Sequence, residues 1–180
     1  MSPLKDQRIA IVGAGNMGEA LIRGLLRAQI VSPQQLVASG PRQERREYLQ
    51  QQYGIRVLPS NVEAVERATI VILATKPQIL LRVATELKSI LPPTTLVVSI
   101  AAGVSTQTLR EALLGHSRLA RVMPNTPLVV GSGATAIANN PELSEAEMDR
   151  VKAIFGAVGM VTVVEENLMD AVTGLSGSGP

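Results

Sequence analysis

Residues 8–18 read Arg8-Ile9-Ala10-Ile11-Val12-Gly13-Ala14-Gly15-Asn16-Met17-Gly18, and their order decides the fold. A short β-branched run stops at a glycine, and a helical pattern follows over about residues 16–29. The spacing G-x-G-x-x-G is weak by itself; between a strand and a helix it is a strong signal. The first glycine permits a tight turn, the second lets an anion approach the backbone, and the third lets the helix pack closely on the strand. Free N–H groups and a partial positive charge at the helix start favour that anion.

The same alternation extends outward. Residues 36–39, 55–58, 69–74, 95–100 and 119–123 read as strands. Between them lie helical stretches at 43–52, 61–67, 77 to the Pro92-Pro93 break, and 105–114. Ser60 and Asn61 supply capping residues for the third helix, and Pro77 suits the first turn of the fourth. This pattern predicts the α/β class: a Rossmann-type, doubly wound, mostly parallel sheet with helices on both faces. After Pro127 the rhythm changes. Residues 131–138 form one further strand candidate, 144–155 a helix capped by Ser144 and Glu147, 161–164 a last strand, and 167–173 a short helix.

Tyr48, Tyr53 and Phe155 are the only aromatic residues, so the core must be aliphatic, as buried parallel strands tend to be. A net charge of +2 is too small to imply a nucleic-acid partner. With no cysteine, disulfide and thiolate chemistry are excluded, and the lone His116 excludes a His-rich metal site and reads as a solvated loop residue. The first residues read as a polar lead-in to a strand rather than a leader peptide. No apolar run reaches the roughly 18 residues of a membrane span. A cytoplasmic protein without a metal or a membrane partner is the expectation.

A site for NAD places Asp or Glu about 20 residues past the glycines, on the ribose hydroxyls. Here the strand ends Val37-Ala38-Ser39-Gly40-Pro41-Arg42, without a carboxylate. A hydroxyl and a guanidinium suit a 2′-phosphate, so Ser39 and Arg42 point to NADP(H), with NAD(H) also open. Arg45 and Arg46 share a helix face with Arg42, but interleave with Glu44 and Glu47 and read equally as a solvated face.

Further blocks carry a resemblance: Ala74-Thr75-Lys76-Pro77-Gln78, Ser99 through Gly103, Arg121-Val122-Met123-Pro124-Asn125-Thr126-Pro127, and the run Asp170 through Pro180, DAVTGLSGSGP. Together with the glycine turn, these resemble the pyrroline-5-carboxylate reductases. That resemblance implies cofactor contacts from Gly13, Ala14, Gly15, Asn16, Met17 and Gly18, then Ser39, Asn61, Ala74, Thr75, Lys76, Pro77, Ile100, Ala101, Ala102 and Glu166. Asn61 reads equally as a helix cap and Glu166 as a first-turn carboxylate. Asn125 and Thr126, stiffened by two prolines, either orient a nicotinamide or form a rigid connector.

The resemblance further implies reduction of 1-pyrroline-5-carboxylate to L-proline, with no catalytic side chain identified. Members of that family continue into a helical dimerisation domain. Residues 1–164 are therefore expected to be the NADP-binding domain, and 165–180 the start of a truncated second domain through which the full-length protein forms a homo-oligomer. The alternatives are a deazaflavin-dependent NADP reductase, an imine reductase, or a dinucleotide-binding module without turnover.

Overall fold

The computed structural model describes residues 2–177; Ser178, Gly179 and Pro180, which close the Asp170–Pro180 block, lie outside the described residues. Eight strands form one sheet: β1 (Ile9–Val12), β2 (Leu36–Ser39), β3 (Arg56–Leu58), β4 (Ile70–Leu73), β5 (Leu96–Ser99), β6 (Leu119–Pro124), β7 (Gly133–Ala138) and β8 (Gly159–Val164). Their order is β3-β2-β1-β4-β5-β6-β7-β8. The chain runs outward from β1 to β3, returns to lay β4 against β1, and continues the other way. The crevice between the ends of β1 and β4 is thus the switch point at which open α/β sheets bind ligands.

Among the described residues six helices connect the strands, α1 (Asn16–Arg27), α2 (Gln43–Tyr53), α3 (Asn61–Val65), α4 (Pro77–Leu87), α5 (Thr106–Ala112) and α6 (Glu145–Gly156), and a seventh, α7 (Met169–Val172), follows β8. Successive strand side chains point to opposite faces. Ile9 and Ile11 accordingly join Leu21, Leu25, Leu49 and Phe155 beneath α1, α2 and α6. Ala10 and Val12 join Val65, Leu80, Leu87 and Leu109 beneath α3, α4 and α5. Burial on both faces explains why these strands are continuously apolar rather than alternating.

β1 to β6 are parallel, β6 and β7 antiparallel, and β7 and β8 parallel. Only a short 3₁₀ turn, Thr126–Val130, joins β6 to β7. A parallel connection needs a dozen or more residues, so the chain must turn back here, whereas α6 gives β7 and β8 a full crossover.

The opening segment is more than a polar lead-in. Leu4 is fully buried in the core. The Gln35 amide holds it there, donating to the carbonyl oxygens of Leu4, Lys5 and Gln7, each at 2.9 Å. Among the described residues no helix is long and apolar enough to cross a membrane.

Candidate dinucleotide site

The glycine turn lies between β1 and α1, at the switch point. Gly13 adopts φ +109°, a left-handed conformation that favours glycine. A Cβ at Gly13 would also stand 2.6 Å from the Ala74 carbonyl oxygen. The amides of Gly13 and Ala14 donate to the Ser39 carbonyl at 3.1 and 2.9 Å, folding the turn over the end of β2. Gly18 is buried, and a Cβ there would strike the Gly13 carbonyl, so the missing side chain lets α1 pack closely on the turn. Gly15 is the opposite case. It is exposed and faces open space. As the N-cap of α1 it supplies no side-chain hydrogen bond, so the first amides of α1 are left to a ligand.

Two clefts meet at Gly15, Ala74, Thr75 and Lys76. One, of about 610 Å³, runs past Ser39, Arg42 and Asn61 at the ends of β2 and β3. The other, of about 460 Å³, runs past Pro77, Ile100 and Ala102 to Met123 and Asn125 at the ends of β5 and β6. Every expected contact residue lines one or both, except Gly18 and Glu166. Each cleft lies within the ~300–1,000 Å³ usual for small-molecule sites. A larger opening, about 1080 Å³, lies beside Lys5, Arg27 and Tyr53 at the far end of α1, away from the glycine turn. Chemistry, not size, selects between them: the free helix start and the strand ends belong to the two smaller clefts.

The residues beside β2 divide their work differently from expectation. Ser39 is fully buried, and its hydroxyl donates to Asn61 Oδ1 at 2.8 Å. It therefore forms the wall behind Asn61 instead of presenting a free hydroxyl. Ser60, not Asn61, caps α3, accepting from the Glu63 amide at 3.3 Å. Asn61 is freed to bridge Ser39 and Glu86, donating to Glu86 Oε2 at 3.1 Å. The three arginines part company as well. Arg45 donates to the Ala14 carbonyl at 3.0 Å and pairs with Glu19. Arg46 donates to the Gly40 and Pro41 carbonyls at 3.0 and 2.8 Å, bracing the turn before α2. Arg42 stays exposed at the cleft, with no ion pair among the described residues.

Behind the glycine turn, Glu19 accepts from Tyr53 at 2.7 Å and Tyr48 at 3.2 Å as well as from Arg45. Burial works to raise the Glu19 carboxyl, but these hydrogen bonds and the Arg45 charge outweigh it and hold the carboxyl below its usual range. Burial and the Glu19 carboxylate push Tyr53 up to about 12.

Thr75 bears on what the clefts hold. Its Oγ1 is buried without a partner, a cost usually avoided unless a ligand supplies the missing bond. With Gly15 open and Thr75 unpaired, the residues present fit a dinucleotide. Asn125 is committed elsewhere. It accepts from the Ala134 amide at 2.8 Å and donates to Ser176 Oγ at 3.3 Å, which favours the connector reading of its loop.

Glu166 lines neither of these two clefts. Its Oε1 accepts from the Thr106 amide at 2.7 Å and from Arg121, at 3.4 Å, which also reaches Asp170 at 2.7 Å. His116 is likewise tied down, its Nε2 lying 2.8 Å from the Thr95 carbonyl oxygen. Sequence reasoning missed Arg82 and Glu86 on α4, both of which line the first cleft. The available signal was their i, i+4 spacing on a helix opened by Pro77, which sets one face of that helix toward the strand ends. Among the described residues no group of three or more acidic, histidine or cysteine side chains could hold a metal ion.

Comparison with known proteins agrees with this geometry. Residues 8–103 match the family model described as NADP oxidoreductase coenzyme F420-dependent. The pyrroline-5-carboxylate reductase of Synechocystis sp. is 44% identical over 96% of this chain, and that of Methanosarcina acetivorans 44% identical over 98%. The chain spans 64% and 66% of those relatives' lengths, just under two thirds. A pyrroline-5-carboxylate reductase from Coxiella burnetii superposes with a TM-score of 0.92 at 32% identity, covering 97% of this chain and 65% of that one. The Plasmodium falciparum pyrroline carboxylate reductase with NADP bound gives 0.85 at 30%, covering 97% and 64%.

Proposed function

Since the chain belongs to the family described as NADP oxidoreductase coenzyme F420-dependent, and resembles pyrroline-5-carboxylate reductases along nearly its whole length, we propose that it binds NADP(H) for the reduction of 1-pyrroline-5-carboxylate to L-proline. The observation that carries this reading is the pair of joined clefts around the exposed Gly15, with Thr75 unpaired between them. The first amides of α1 would take the pyrophosphate, Arg42 a 2′-phosphate, and the small Ala101–Ala102 segment the nicotinamide end. When bound, a reduced nicotinamide supplies the hydride that turns a ring imine into an amine. The chain's own part is to hold the two reactants in register and to exclude water from the second cleft. No side chain there is assigned as an acid.

Residues 1–164 act as the cofactor domain in this reading. Residues 165–180 begin the helical dimerisation unit that the resemblance implies, in a cytoplasmic homo-oligomer. The F420-dependent reading shares residues 8–103 with the family model. The match to the relatives covers 96% and 98% of this chain, well beyond residue 103, which favours the proline enzyme.

The test is a fluorescence titration with NADPH, followed by turnover on 1-pyrroline-5-carboxylate and on reduced coenzyme F420 with NADP⁺. Binding that weakens about tenfold on Arg42→Ala, the worth of one charge-assisted hydrogen bond, supports the phosphate site. Turnover of F420 but not of the imine would replace the substrate assignment, and absent binding would remove the cofactor one.

A further inference from the structure

The cleft beside the glycine turn is lined by four cations, Arg42, Arg45, Lys76 and Arg82, and among the described residues by a single carboxylate, Glu86. Glu86 follows Arg82 by four residues on α4, the spacing of an ordinary surface ion pair. No such pair forms among the described residues. Glu86 is held instead by the Asn61 amide, donating to its Oε2 at 3.1 Å.

The direction of the hydrogen bonds follows from chemistry. A carboxylate only accepts, so the Asn61 NH₂ must face Glu86 and the Asn61 oxygen must face Ser39. Ser39 therefore donates, at 2.8 Å. The relay starts at the last residue of β2 and ends on a carboxylate at the cleft. The last residue of β2 is where NAD sites place the acid that accepts from the ribose hydroxyls. Here that place holds a buried serine, and two hydrogen bonds connect it to an acid on a different element. Glu86 Oε1 has no partner among the described residues, so one acceptor oxygen is left for a ligand.

We propose that Glu86 reads the ribose hydroxyls of a non-phosphorylated dinucleotide, standing in from α4 for the carboxylate that the end of β2 lacks. This inference rests on the cofactor reading above. Toward a ribose 2′-hydroxyl Glu86 is an acceptor; toward a 2′-phosphate it is a repelling charge, opposed by Arg42. The two residues set the choice between NADH and NADPH, and the chain accepts both.

Calorimetric titration of the chain, Glu86→Gln and Glu86→Asp with NADH and NADPH tests this. Glu86→Gln is expected to weaken NADH about fivefold, one hydrogen bond's worth, while NADPH binds as tightly or up to about threefold tighter. Glu86→Asp keeps the charge but withdraws it by a methylene, and should weaken NADH without tightening NADPH. Weaker NADH binding with NADPH unchanged or tighter is a signature that a merely structural role does not produce. Equal weakening of both, or an unchanged NADH affinity in Glu86→Gln, overturns the proposal while leaving the cofactor reading intact. So does a parent chain that binds NADPH alone. A parent chain that binds neither nucleotide overturns both readings together. Glu86 is exposed on its helix, so folded variants are expected, and circular dichroism establishes that independently.

Discussion

The Arg45 guanidinium and the Glu19 carboxylate pair across α1 and α2, with both side chains largely buried. From that position Arg45 reaches the Ala14 carbonyl at 3.0 Å and lies over the Tyr48 ring at 5.3 Å. The second helix thus holds the glycine turn from behind. The basic cluster following β2 contains one arginine left exposed at the cleft and two that secure backbone.

Arg45→Ala should therefore weaken NADH and NADPH by the same factor, because it loosens the turn proposed to hold the pyrophosphate common to both. It should also lower stability by about 1–2 kcal/mol, since Glu19 is left partly buried without its cation. Titration with both nucleotides and a thermal melt check this. A loss confined to NADPH would assign Arg45 to the 2′-phosphate instead.

Glu166 gives a second, opposite expectation. Its bonds to the Thr106 amide and to the buried Arg121 tie the segment after β8 to the start of α5 and the middle of β6. Glu166→Ala should destabilise the fold by about 1–3 kcal/mol; Asp170 still partners Arg121, which keeps the cost below that of an isolated buried charge. NADPH affinity should stay within about twofold, less than one hydrogen bond is worth. Denaturant unfolding and a binding titration on the same variant separate the two roles. Tenfold weaker binding at unchanged stability would place Glu166 at the cofactor.

These cases mark what the sequence makes legible. All eight strands were readable because runs such as Ile70–Leu73 are apolar on both faces and bounded by turn residues. The cofactor crevice was readable because the glycine turn needs no partner to declare itself. Pairings between distant elements were not. Nothing near Glu166 specifies Thr106, 60 residues away, and nothing near Leu4 specifies Gln35. The antiparallel turn from β6 to β7 depends on the length of the connection, which a periodicity reading does not weigh. Asn61 illustrates the local limit: two capping residues stood side by side, and only tertiary contact with Ser39 and Glu86 decides which one caps.

Close approach of α1 to the turn before β8 predicts a contrast between two glycines. A Cβ at Gly24 would strike Val158 Cγ1, and Val158 is buried and stiff at χ1. The overpacking cost of about 1–3 kcal/mol exceeds or matches the ~1 kcal/mol gained in helix propensity, so Gly24→Ala should lower the melting temperature. Gly156, at the end of α6, has nothing within 4 Å of such a Cβ. Gly156→Ala should raise stability by up to about 1 kcal/mol. Melts that move together would refute the packing argument.

The titrating groups predict how stability falls at each end of the pH scale. For Glu147, burial works to raise the carboxyl, but hydrogen bonds from Ser144 and the Arg118 charge hold it below the usual range; Glu19 is held low likewise. A group whose folded value is depressed binds its proton less tightly than the unfolded chain does. Its contribution is complete above the ordinary carboxylate range and is lost as pH falls through it toward the depressed folded values. Tyr53 has the opposite sign. The folded chain keeps this proton up to about 12, so its contribution is complete below the unfolded value near 10 and is lost between about 10 and 12. Melting temperature against pH should show a plateau with an acid limb and an alkaline limb. Glu19→Gln combined with Glu147→Gln should lower the plateau and flatten the acid limb, because the paired carboxylates no longer have to be protonated on unfolding. Tyr53→Phe should flatten the alkaline limb and, by removing a hydrogen bond that holds Glu19 low, part of the acid limb as well. An acid limb of unchanged slope in the double variant would mean that other carboxylates, and not these two, govern the loss of stability at low pH.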